Sequence, residues 1–345
     1  MSSPSMQGPT DSPLFAQVMM LARGYATSAC LHTAAKFGIA DLLSSGPKAV
    51  SELARESKAN EDALYRVLRA LASINVFRET APRTFVNTPI SETLRSDIAG
   101  STRDAVLFMA DELHMRIYSE LAYSVETGGT TFRKITGMEP FEFFRQNSEE
   151  NRLFNSAMTS ISAGAVPSAL QAYDFGESGT LADIGCGHGA LLTGILQKHG
   201  GLRGIAFDLP NVVEGAKERY ESLGLASRCE VFGGSFFEGV PAADSYVMKS
   251  IIHDWDDSRA VAILKNCAKA MRGPNGKVIL LEMVVGPANE PGLAKWIDIE
   301  MLVIAGGRER TEAEFADLFS KAGLKLSRVV RTPSPFCVIE AVKAQ

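Results

Sequence analysis

The second half of the chain alternates short apolar runs with stretches in which apolar residues recur at helical spacing. The runs predict seven strands, at residues 181–184, 204–207, 229–232, 245–248, 278–283, 326–331 and 337–341. Strands that alternate with helices in this way form an open, mostly parallel sheet with helices on both faces. Such sheets bind ligands at the carboxyl ends of their strands, so residues that directly follow a strand are the first candidates for function.

Residues 13–105 show helical spacing instead. The run at 15–37 is apolar with few charges, which predicts one long helix buried on several sides, including against another subunit. A short helix is predicted from Val50. Asn60 has a side chain suited to cap the helix that follows, in which Leu64, Leu68 and Leu71 recur on one face. These helices predict a small domain with a core of its own.

Residues 76–79 and 84–87 predict two short strands on either side of a turn that contains Pro82. With the preceding helices they complete a winged-helix pattern, which often binds DNA. Residues 48–104, however, hold nine basic and eight acidic side chains, and a DNA-reading module normally shows a clear basic excess. The pattern therefore favours an interaction or dimerisation role. Residues 106–172 predict further helices around a loop at 126–138.

Composition narrows the possible partners. The 345-residue chain has a net charge of −5, which argues against a polyanionic partner such as nucleic acid. No apolar run approaches the roughly 18 residues of a membrane helix, and the first residues lack the pattern of a signal peptide. The five cysteines are dispersed, as in reduced cytoplasmic proteins, and no His/Cys cluster has zinc-ligand spacing. We therefore expect a cytoplasmic protein with no nucleic acid, membrane or metal.

Three glycines follow the first strand of the predicted sheet. Asp183 precedes Gly185, Gly187 and Gly189 at alternate positions, and a helical run follows at 190–198. Backbone without Cβ atoms can pass close to a ligand, and the first helical turn offers free N–H groups. Asp208 ends the second strand, where an acid suits a bidentate grip on ribose hydroxyls. The third glycine comes one residue earlier than in the dinucleotide pattern, which argues against a dinucleotide ligand. The turn and Asp208 together predict a nucleoside or nucleotide without settling which one.

A histidine and two acids follow the later strands. His253 comes after the fourth strand, which the expected strand order places beside the first. Glu282 is an acid inside an otherwise apolar strand, and a buried carboxylate is costly unless it is paired, so His253 is its natural partner. Glu309 comes just before a helix with a capping box at Thr311 and Glu314 and can face the same cleft.

These motifs together resemble the class of S-adenosylmethionine-dependent O-methyltransferases that includes plant caffeate O-methyltransferases and bacterial antibiotic-tailoring enzymes. The resemblance runs from about residue 15 to the C-terminus, and it is carried by the segments DIGCGHG, FDLP, GGSFF, MKSIIHDW, LLEM and GGRERT. It implies an α/β fold. In that fold, a Rossmann-like seven-stranded methyltransferase sheet follows an N-terminal all-helical winged-helix-like dimerisation domain, through which the protein forms a homodimer.

The resemblance also implies a role for each matching residue. His253 matches the general base of the family, and Glu282 and Glu309 match the two acids that flank it. S-Adenosylmethionine is the implied cofactor, with S-adenosylhomocysteine as its product and no metal. The implied cofactor-binding residues are Asp183, Gly185, Gly187, Asp208, Leu209, Ser235, Phe236 and Lys249. The implied residues around a small aromatic acceptor are Met109, Phe154, Met158, Trp255 and Met301.

The chain departs from the family pattern at two positions. Ser235 stands where the family often has an aspartate near the adenine, which predicts a weaker or water-mediated hydrogen bond there. Ala110 stands where plant members carry an asparagine beside the pocket methionine, so we expect an acceptor other than their phenylpropanoids, such as a polyketide or another phenolic metabolite.

The expected organisation has four segments. Residues 1–12 are small, polar and rich in proline and glycine, which predicts a disordered tail. Residues 13–105 are the expected winged-helix-like dimerisation domain, and 106–172 are a helical linker that shapes the acceptor pocket. Residues 173–345 are the expected cofactor-binding, Rossmann-like catalytic domain.

The expected reaction is an in-line displacement at the sulfonium methyl. A phenol has a pKa of about 10 and imidazole one of about 6.5, so His253 accepts the proton as the C–O bond forms rather than in advance. Glu282 or Glu309 fixes the imidazole tautomer. Three alternatives stay open: the same fold used for a hydroxylase, decarboxylase or pericyclase, methylation of nitrogen, and a winged-helix DNA-binding regulator.

Overall fold

The computed structural model describes residues 13–177 and 179–344. The tail expected at residues 1–12 lies outside the described residues. The chain divides into two compact units. The N-terminal unit comprises the residues up to Arg116 together with Ser148–Ile161, and the C-terminal unit comprises Ile117–Asn147 and the residues from Ser162 onward. No helix in the described ranges has the length and apolar character needed to cross a membrane.

The N-terminal unit opens with short helices. They are α1 (Pro13–Leu21), α2 (Gly24–Lys36), α3 (Ile39–Leu42), α4 (Val50–Ser57), α5 (Glu61–Ala72), α6 (Pro89–Glu92) and α7 (Arg103–Met109). The prediction of one helix over 15–37 was wrong, because the chain turns at Arg23 (φ −95°, ψ 9°) before α2. Gly24 follows this turn, and glycine weakens a continuous helix. None of the residues of α1 is buried within this single chain.

The winged part has the predicted core. The Asn60 side chain caps α5 by accepting a hydrogen bond from Ala63 N at 3.0 Å, and Leu64, Leu68 and Leu71 are buried. The wing is a three-stranded sheet of β1 (Lys48–Ala49), β2 (Phe77–Ala81) and β3 (Thr84–Asn87), in the order β1-β3-β2. The predicted hairpin is therefore present, and the added strand β1 means that this unit is not helical throughout.

Helices also fill the middle of the chain. They are α8 (Glu112–Ser119), α9 (Leu121–Thr127), α10 (Thr131–Thr136), α11 (Pro140–Gln146) and α12 (Ser148–Ala172). The loop predicted at 126–138 was wrong in part, because α10 lies inside it. Gly128 ends α9 and Gly137 ends α10, both with positive φ, so the glycines that suggested a loop are helix C-caps.

The C-terminal unit is built on the predicted seven-stranded sheet. Its strands are β4 (Thr180–Ile184), β5 (Arg203–Asp208), β6 (Cys229–Gly233), β7 (Ser245–Lys249), β8 (Lys277–Met283), β9 (Leu324–Arg331) and β10 (Phe336–Lys343). The order is β6-β5-β4-β7-β8-β10-β9, and only β10 pairs antiparallel with its neighbours. The chain moves from β4 outward to β6 and then returns to β7 beside β4. A crevice forms at such a reversal.

Helices cover both faces of this sheet, as predicted. The α-helices that follow β4 are α13 (Ala190–Lys198), α14 (Pro210–Ser222), α15 (Asp257–Ala270), α16 (Leu293–Val303) and α17 (Glu312–Lys321). Side chains of α15 and α17 pack with one face in one apolar core, and side chains of α13 and α14 pack with the other face in a second. Both cores include residues of β4, β5, β7 and β8, so these strands are packed on both faces.

Candidate active site

The glycine turn joins β4 to α13, as the sequence predicts. Gly185, Gly187 and Gly189 have φ of 72°, 53° and 73°, a region that glycine enters without a steric penalty. A Cβ on Gly185 would lie 2.3 Å from Ile251 Cδ1, and one on Gly189 would lie 2.3 Å from Tyr220 Oη. A Cβ on Gly187 would meet no heavy atom within 4 Å among the described residues. Gly185 and Gly189 thus permit close packing, whereas Gly187 borders open space.

Asp208 pins this turn from the end of β5. Its Oδ2 accepts a hydrogen bond from Gly187 N at 2.8 Å, and its Oδ1 accepts one from Leu209 N at 2.7 Å. Burial raises the pKa of Asp208, while these two backbone hydrogen bonds oppose the rise. Each carboxylate oxygen keeps a second lone pair, so holding the turn is compatible with the grip on ribose hydroxyls that the sequence predicts.

A buried acid and a buried amine lie behind the turn. Asp183 is almost fully buried, and its Oδ2 has no hydrogen-bond partner among the residues that the structure describes. Burial raises the pKa of Asp183 to about 7, and the charge of Lys249 at the end of β7 opposes this. Burial lowers the pKa of Lys249, against the attraction of Glu282 and Asp183. An unsatisfied buried carboxylate calls for an explanation, and a polar ligand at this strand end supplies one.

The loop after β6 carries Ser235 and Phe236. Ser235 Oγ accepts a hydrogen bond from Phe237 N at 3.3 Å, and the ring of Phe236 packs against Trp255 at 5.9 Å between centroids. Asn266 Nδ2 donates to the carbonyls of Phe236 and Phe237 at 2.8 and 3.1 Å. Sequence reasoning did not select Asn266, because a polar residue on a helix gives no sign that it fixes a distant loop.

His253 lies in a short turn between β7 and α15, with its side chain 14% exposed. Its Nδ1 lies 2.7 Å from Glu309 Oε1 and 3.8 Å from Glu282 Oε2. Its Nε2 lies 3.5 Å from Asp254 Oδ1. The structure thus brings His253, Glu282 and Glu309 together and adds Asp254, which the sequence analysis did not select. The position of Asp254 directly after His253, in a His-Asp-Trp segment, was the sequence signal that could have identified it.

Glu282 and Glu309 contact His253 in different ways. The sequence analysis expected Glu282 to pair with His253, but Glu309 is the residue that lies within hydrogen-bonding distance of the imidazole. Glu282 is fully buried in β8, and its Oε1 accepts hydrogen bonds from Ile251 N and Ile252 N at 3.0 and 2.9 Å. Glu282 therefore holds the backbone that leads into His253, while Glu309 sets the direction of the ring.

The charges around His253 shift its protonation. Burial lowers the pKa of His253, but the carboxylates of Glu282, Asp254 and Glu309 outweigh it and raise the pKa to about 10. Burial raises the pKa of Glu282 to about 7 and that of Asp254 to about 6, in both cases against the histidine charge. The pKa values of Glu282 and Asp254 therefore lie close to neutral pH, and strongly shifted pKa values of this kind cluster at functional sites.

This cluster also meets a distance condition for a cation. One ligand-type atom each from His253, Glu282 and Glu309 lie within 4.8 Å of one another. However, Nδ1 and Glu309 Oε1 already share a hydrogen bond, and Glu282 Oε1 already accepts two. These hydrogen bonds occupy part of the ligand set that a cation would need.

The predicted acceptor-binding residues fall in both units. In the N-terminal unit, Met109 ends α7 and is exposed. Phe154 and Met158 lie one helical turn apart on α12. In the C-terminal unit, Met301 is buried on α16. Trp255 packs against rings that include Phe237, at 4.8 Å. Both sets consist of apolar side chains.

Comparison with known proteins gives consistent matches over most of the chain. The family model described as O-methyltransferase domain matches residues 118–325, and the one described as O-methyltransferase dimerisation domain matches residues 19–97. A phenazine O-methyltransferase from Lysobacter antibioticus is 39% identical over 330 residues, which are 95% of this chain and 96% of the relative.

Two further relatives are informative about chemistry. An 8-amino-8-demethylriboflavin N,N-dimethyltransferase from Streptomyces davaonensis is 32% identical over 315 residues, which are 90% of each chain. A solved O-methyltransferase from neocarzinostatin biosynthesis, in complex with S-adenosylmethionine and 2-hydroxy-5-methyl naphthoic acid, is 31% identical with a TM-score of 0.78. That match covers 92% of this chain and 96% of the solved one.

Gly187→Ala and Gly224→Ala form a matched pair that tests the ligand turn. Both glycines have positive φ (53° and 70°), and neither added Cβ meets a heavy atom within 4 Å among the described residues, so similar strain of about 1–2 kcal/mol is expected. Only Gly187 lies in the turn after β4. By calorimetry with S-adenosylmethionine, the ligand that the sequence resemblance implies, we expect about tenfold weaker binding or worse for Gly187→Ala. Gly224→Ala should bind normally, and equal affinities would contradict the assignment.

Proposed function

Since this chain belongs to the family of S-adenosylmethionine-dependent O-methyltransferases, we propose that it methylates a hydroxyl of a small aromatic metabolite and that His253 is the general base. One observation carries the proposal, the 2.7 Å hydrogen bond between His253 Nδ1 and Glu309 Oε1. A carboxylate at Nδ1 fixes the N–H there, which leaves Nε2 to take a proton. The naphthoic acid bound by one relative supports the aromatic acceptor.

The residues at the ends of β4, β5 and β7 fit the cosubstrate. The orphaned oxygen of Asp183 offers an acceptor for a positively charged group, Gly187 borders open space, and Asp208 offers its remaining lone pairs to ribose hydroxyls. When bound, S-adenosylmethionine supplies a methyl group on a positively charged sulfur, which is electrophilic without a metal. The protein's own task is then to orient the acceptor and remove its proton.

His253 is suited to accept the proton of the acceptor hydroxyl. A phenol has a pKa of about 10, close to the raised pKa of His253, and a base matched to its acid transfers protons efficiently. The imidazole must first be neutral, and the three carboxylates around it favour the charged form. A bound cation opposes those carboxylates and favours the neutral imidazole. Binding of the positively charged cosubstrate therefore favours the neutral form of His253, which can accept a proton.

Nitrogen methylation is the second candidate. The related N,N-dimethyltransferase shows that this family includes enzymes that act on an aromatic amine. An aromatic amine, like a phenol, must lose a proton in the reaction, so the same base serves both. Acceptors that pair a hydroxyl with an amine on one ring, analysed by mass spectrometry and NMR of the product, separate the two outcomes.

We propose that the dimerisation domain joins two copies of this chain through α1 and its neighbours. Leu14, Val18 and Leu21 of α1 are 69%, 61% and 75% exposed in the single chain, and apolar patches of this kind mark interfaces. With the free thiols of all five cysteines, this suggests a cytoplasmic homodimer. The near-balanced charge of residues 48–104 supports a role without nucleic acid.

His253→Ala tests the base. A panel of phenolic acceptors with methyl-labelled S-adenosylmethionine should first give a labelled methyl ether, with S-adenosylhomocysteine as the unlabelled second product. On the best acceptor, we expect His253→Ala to lose about a hundredfold or more in kcat, because no group at this position takes the proton, while the Kd for S-adenosylmethionine changes little. His199→Ala, at the end of α13, is the control. Full activity of His253→Ala would refute the assignment.

Glu309→Gln tests how the carboxylates set the base. The amide removes one of three charges that raise the pKa of His253, so this pKa should fall from about 10 towards 6.5. The ascending limb of kcat against pH then moves to lower pH, and its plateau falls about ten- to hundredfold because the ring is less well oriented. Two phenols of different pKa separate ionisation of the acceptor from that of the enzyme. A limb that stays in place or moves to higher pH would contradict the mechanism.

Val18→Asp with Leu21→Asp tests the interface. Burying two carboxylates in an apolar contact is costly, so sedimentation velocity should show a dimer for the native chain and a monomer for the double variant. Val125→Asp, at a valine of the C-terminal unit that is 74% exposed, should remain dimeric. A native monomer would overturn the proposal.

A further inference from the structure

The guanidinium of Arg310 connects the segments that carry His253 and Glu309. Its side chain is 1% exposed. Nη1 donates to Ile252 O at 3.1 Å and to Arg308 O at 3.2 Å, and Nη2 donates to Trp255 O at 2.9 Å. These carbonyls belong to residues on either side of His253 and to the residue before Glu309. One rigid planar group therefore fixes the spacing between the two segments.

Asp257 completes the contacts of this guanidinium. Its Oδ1 accepts hydrogen bonds from Arg310 Nε at 3.1 Å and Nη2 at 2.8 Å. All five N–H groups of Arg310 then have acceptors, which is the full capacity of the side chain. Asp257 is half-exposed, whereas the arginine charge is buried. The aspartate therefore balances a charge that the buried site must hold.

The backbone on the Glu309 side packs directly on the His253 turn. A Cβ on Gly307 would lie 2.0 Å from His253 O and 2.6 Å from Trp255 N, so only glycine allows this approach. Arg308 N donates to His253 O at 2.8 Å, and Glu309 N donates to Asp298 Oδ1 at 2.9 Å. The Glu309 backbone is thus held on both sides.

The same segment is joined to the strand that carries Glu282. Val285 N donates to Arg310 O at 2.9 Å, and Val284 and Arg310 form an isolated parallel bridge just beyond β8. Arg310 therefore contacts the segments that carry His253, Glu282 and Glu309. Its backbone contacts the residues just after β8, and its side chain contacts the turn that carries His253.

We propose that Arg310, with Asp257 as its counter-ion, is a positioning residue that holds Glu309 against His253 Nδ1 and so presents Nε2 to the acceptor. This rests on the proposed function of His253. Arg310 touches neither the imidazole nor the Glu309 carboxylate, and it acts through the backbone that carries them. A lysine in its place keeps the charge but reaches fewer of the four acceptor residues, so Arg310→Lys isolates the geometry.

Kinetics test this first. We expect Arg310→Lys to lower kcat about ten- to hundredfold with little change in the KM for S-adenosylmethionine, since β4 and β5 are not involved. Arg328→Lys is the control, because Arg328 also donates to a carboxylate, that of Glu340 at 3.0 Å, but on the distant strands β9 and β10. Its kcat should be unchanged. Equal losses in both variants would reduce Arg310 to a general contributor to stability and overturn the proposal.

A double-mutant cycle tests whether Arg310 acts through Glu309. Once Glu309 is glutamine, the contact that Arg310 holds is already altered, so adding Arg310→Lys should cost much less than it does alone. If the two losses in kcat multiply fully, Arg310 acts independently of Glu309 and the proposal fails.

NMR titration of the His253 ring tests the geometry without any turnover, and therefore separates this proposal from the assignment of the reaction. The carboxylates that face the ring are Glu282 from β8, Glu309 from the loop before α17, and Asp254 from its own turn. Weakening the Glu309 contact should lower the pKa of His253 by about one unit or more in Arg310→Lys, with no change in Arg328→Lys.

Asp257→Asn keeps the test decisive if Arg310→Lys does not fold, because residue 257 is half-exposed. It removes the counter-ion and should likewise lower both kcat and the pKa of His253. An unchanged His253 titration in the folded variants overturns the proposal, even if no methyl acceptor has been found. A lowered pKa supports it.

Discussion

The site depends on one hydrogen bond, between His253 Nδ1 and Glu309 Oε1. The two residues are far apart in sequence and lie on loops, which are ordinarily the most mobile parts of a fold. Here both loops are fixed from outside: Glu282 holds the backbone before His253, and Asp298 holds the backbone of Glu309. The Glu309 carboxylate therefore sets the direction of the imidazole, and backbone contacts hold the two segments that carry this pair.

The sheet order explains why these residues meet. β7 and β8 are neighbours, and β4 lies on the other side of β7. The glycine turn after β4, the histidine turn after β7 and the acid in β8 consequently share one edge of the sheet. The pKa of Asp183 responds to Lys249 and Asp208, and the pKa of Lys249 responds to Glu282, Asp183 and Asp254. One connected set of charges therefore runs from the glycine turn to the acids around His253.

Sequence patterns predicted this fold well wherever local periodicity decides the structure. The seven strands, the wing and the cap at Asn60 are all present, because alternation of apolar runs and capping are local signals. The break before α2 and helix α10 were missed, because single glycines mark helix ends as readily as loops. At the site, the meeting of His253 with Glu282 followed from strand order, and Glu309 was expected to face the same cleft from its position before α17. That Glu309 rather than Glu282 makes the short contact, and that Asn266 and Arg310 fix distant backbone, depends on side-chain reach across the fold, which no local pattern encodes.

The burial of ionisable groups around His253 ties the chemistry to the free energy of unfolding. The folded state raises the pKa of Glu282 from 4.5 to about 7 and that of His253 from 6.5 to about 10. Each group therefore favours folding when protonated, and this contribution is lost as pH rises, for Glu282 between 4.5 and about 7 and for His253 between 6.5 and about 10. The neutral imidazole, which the proposed general base requires, is the form that the fold stabilises less. Alkaline conditions that favour the neutral imidazole therefore also remove part of the free energy that stabilises the fold around it.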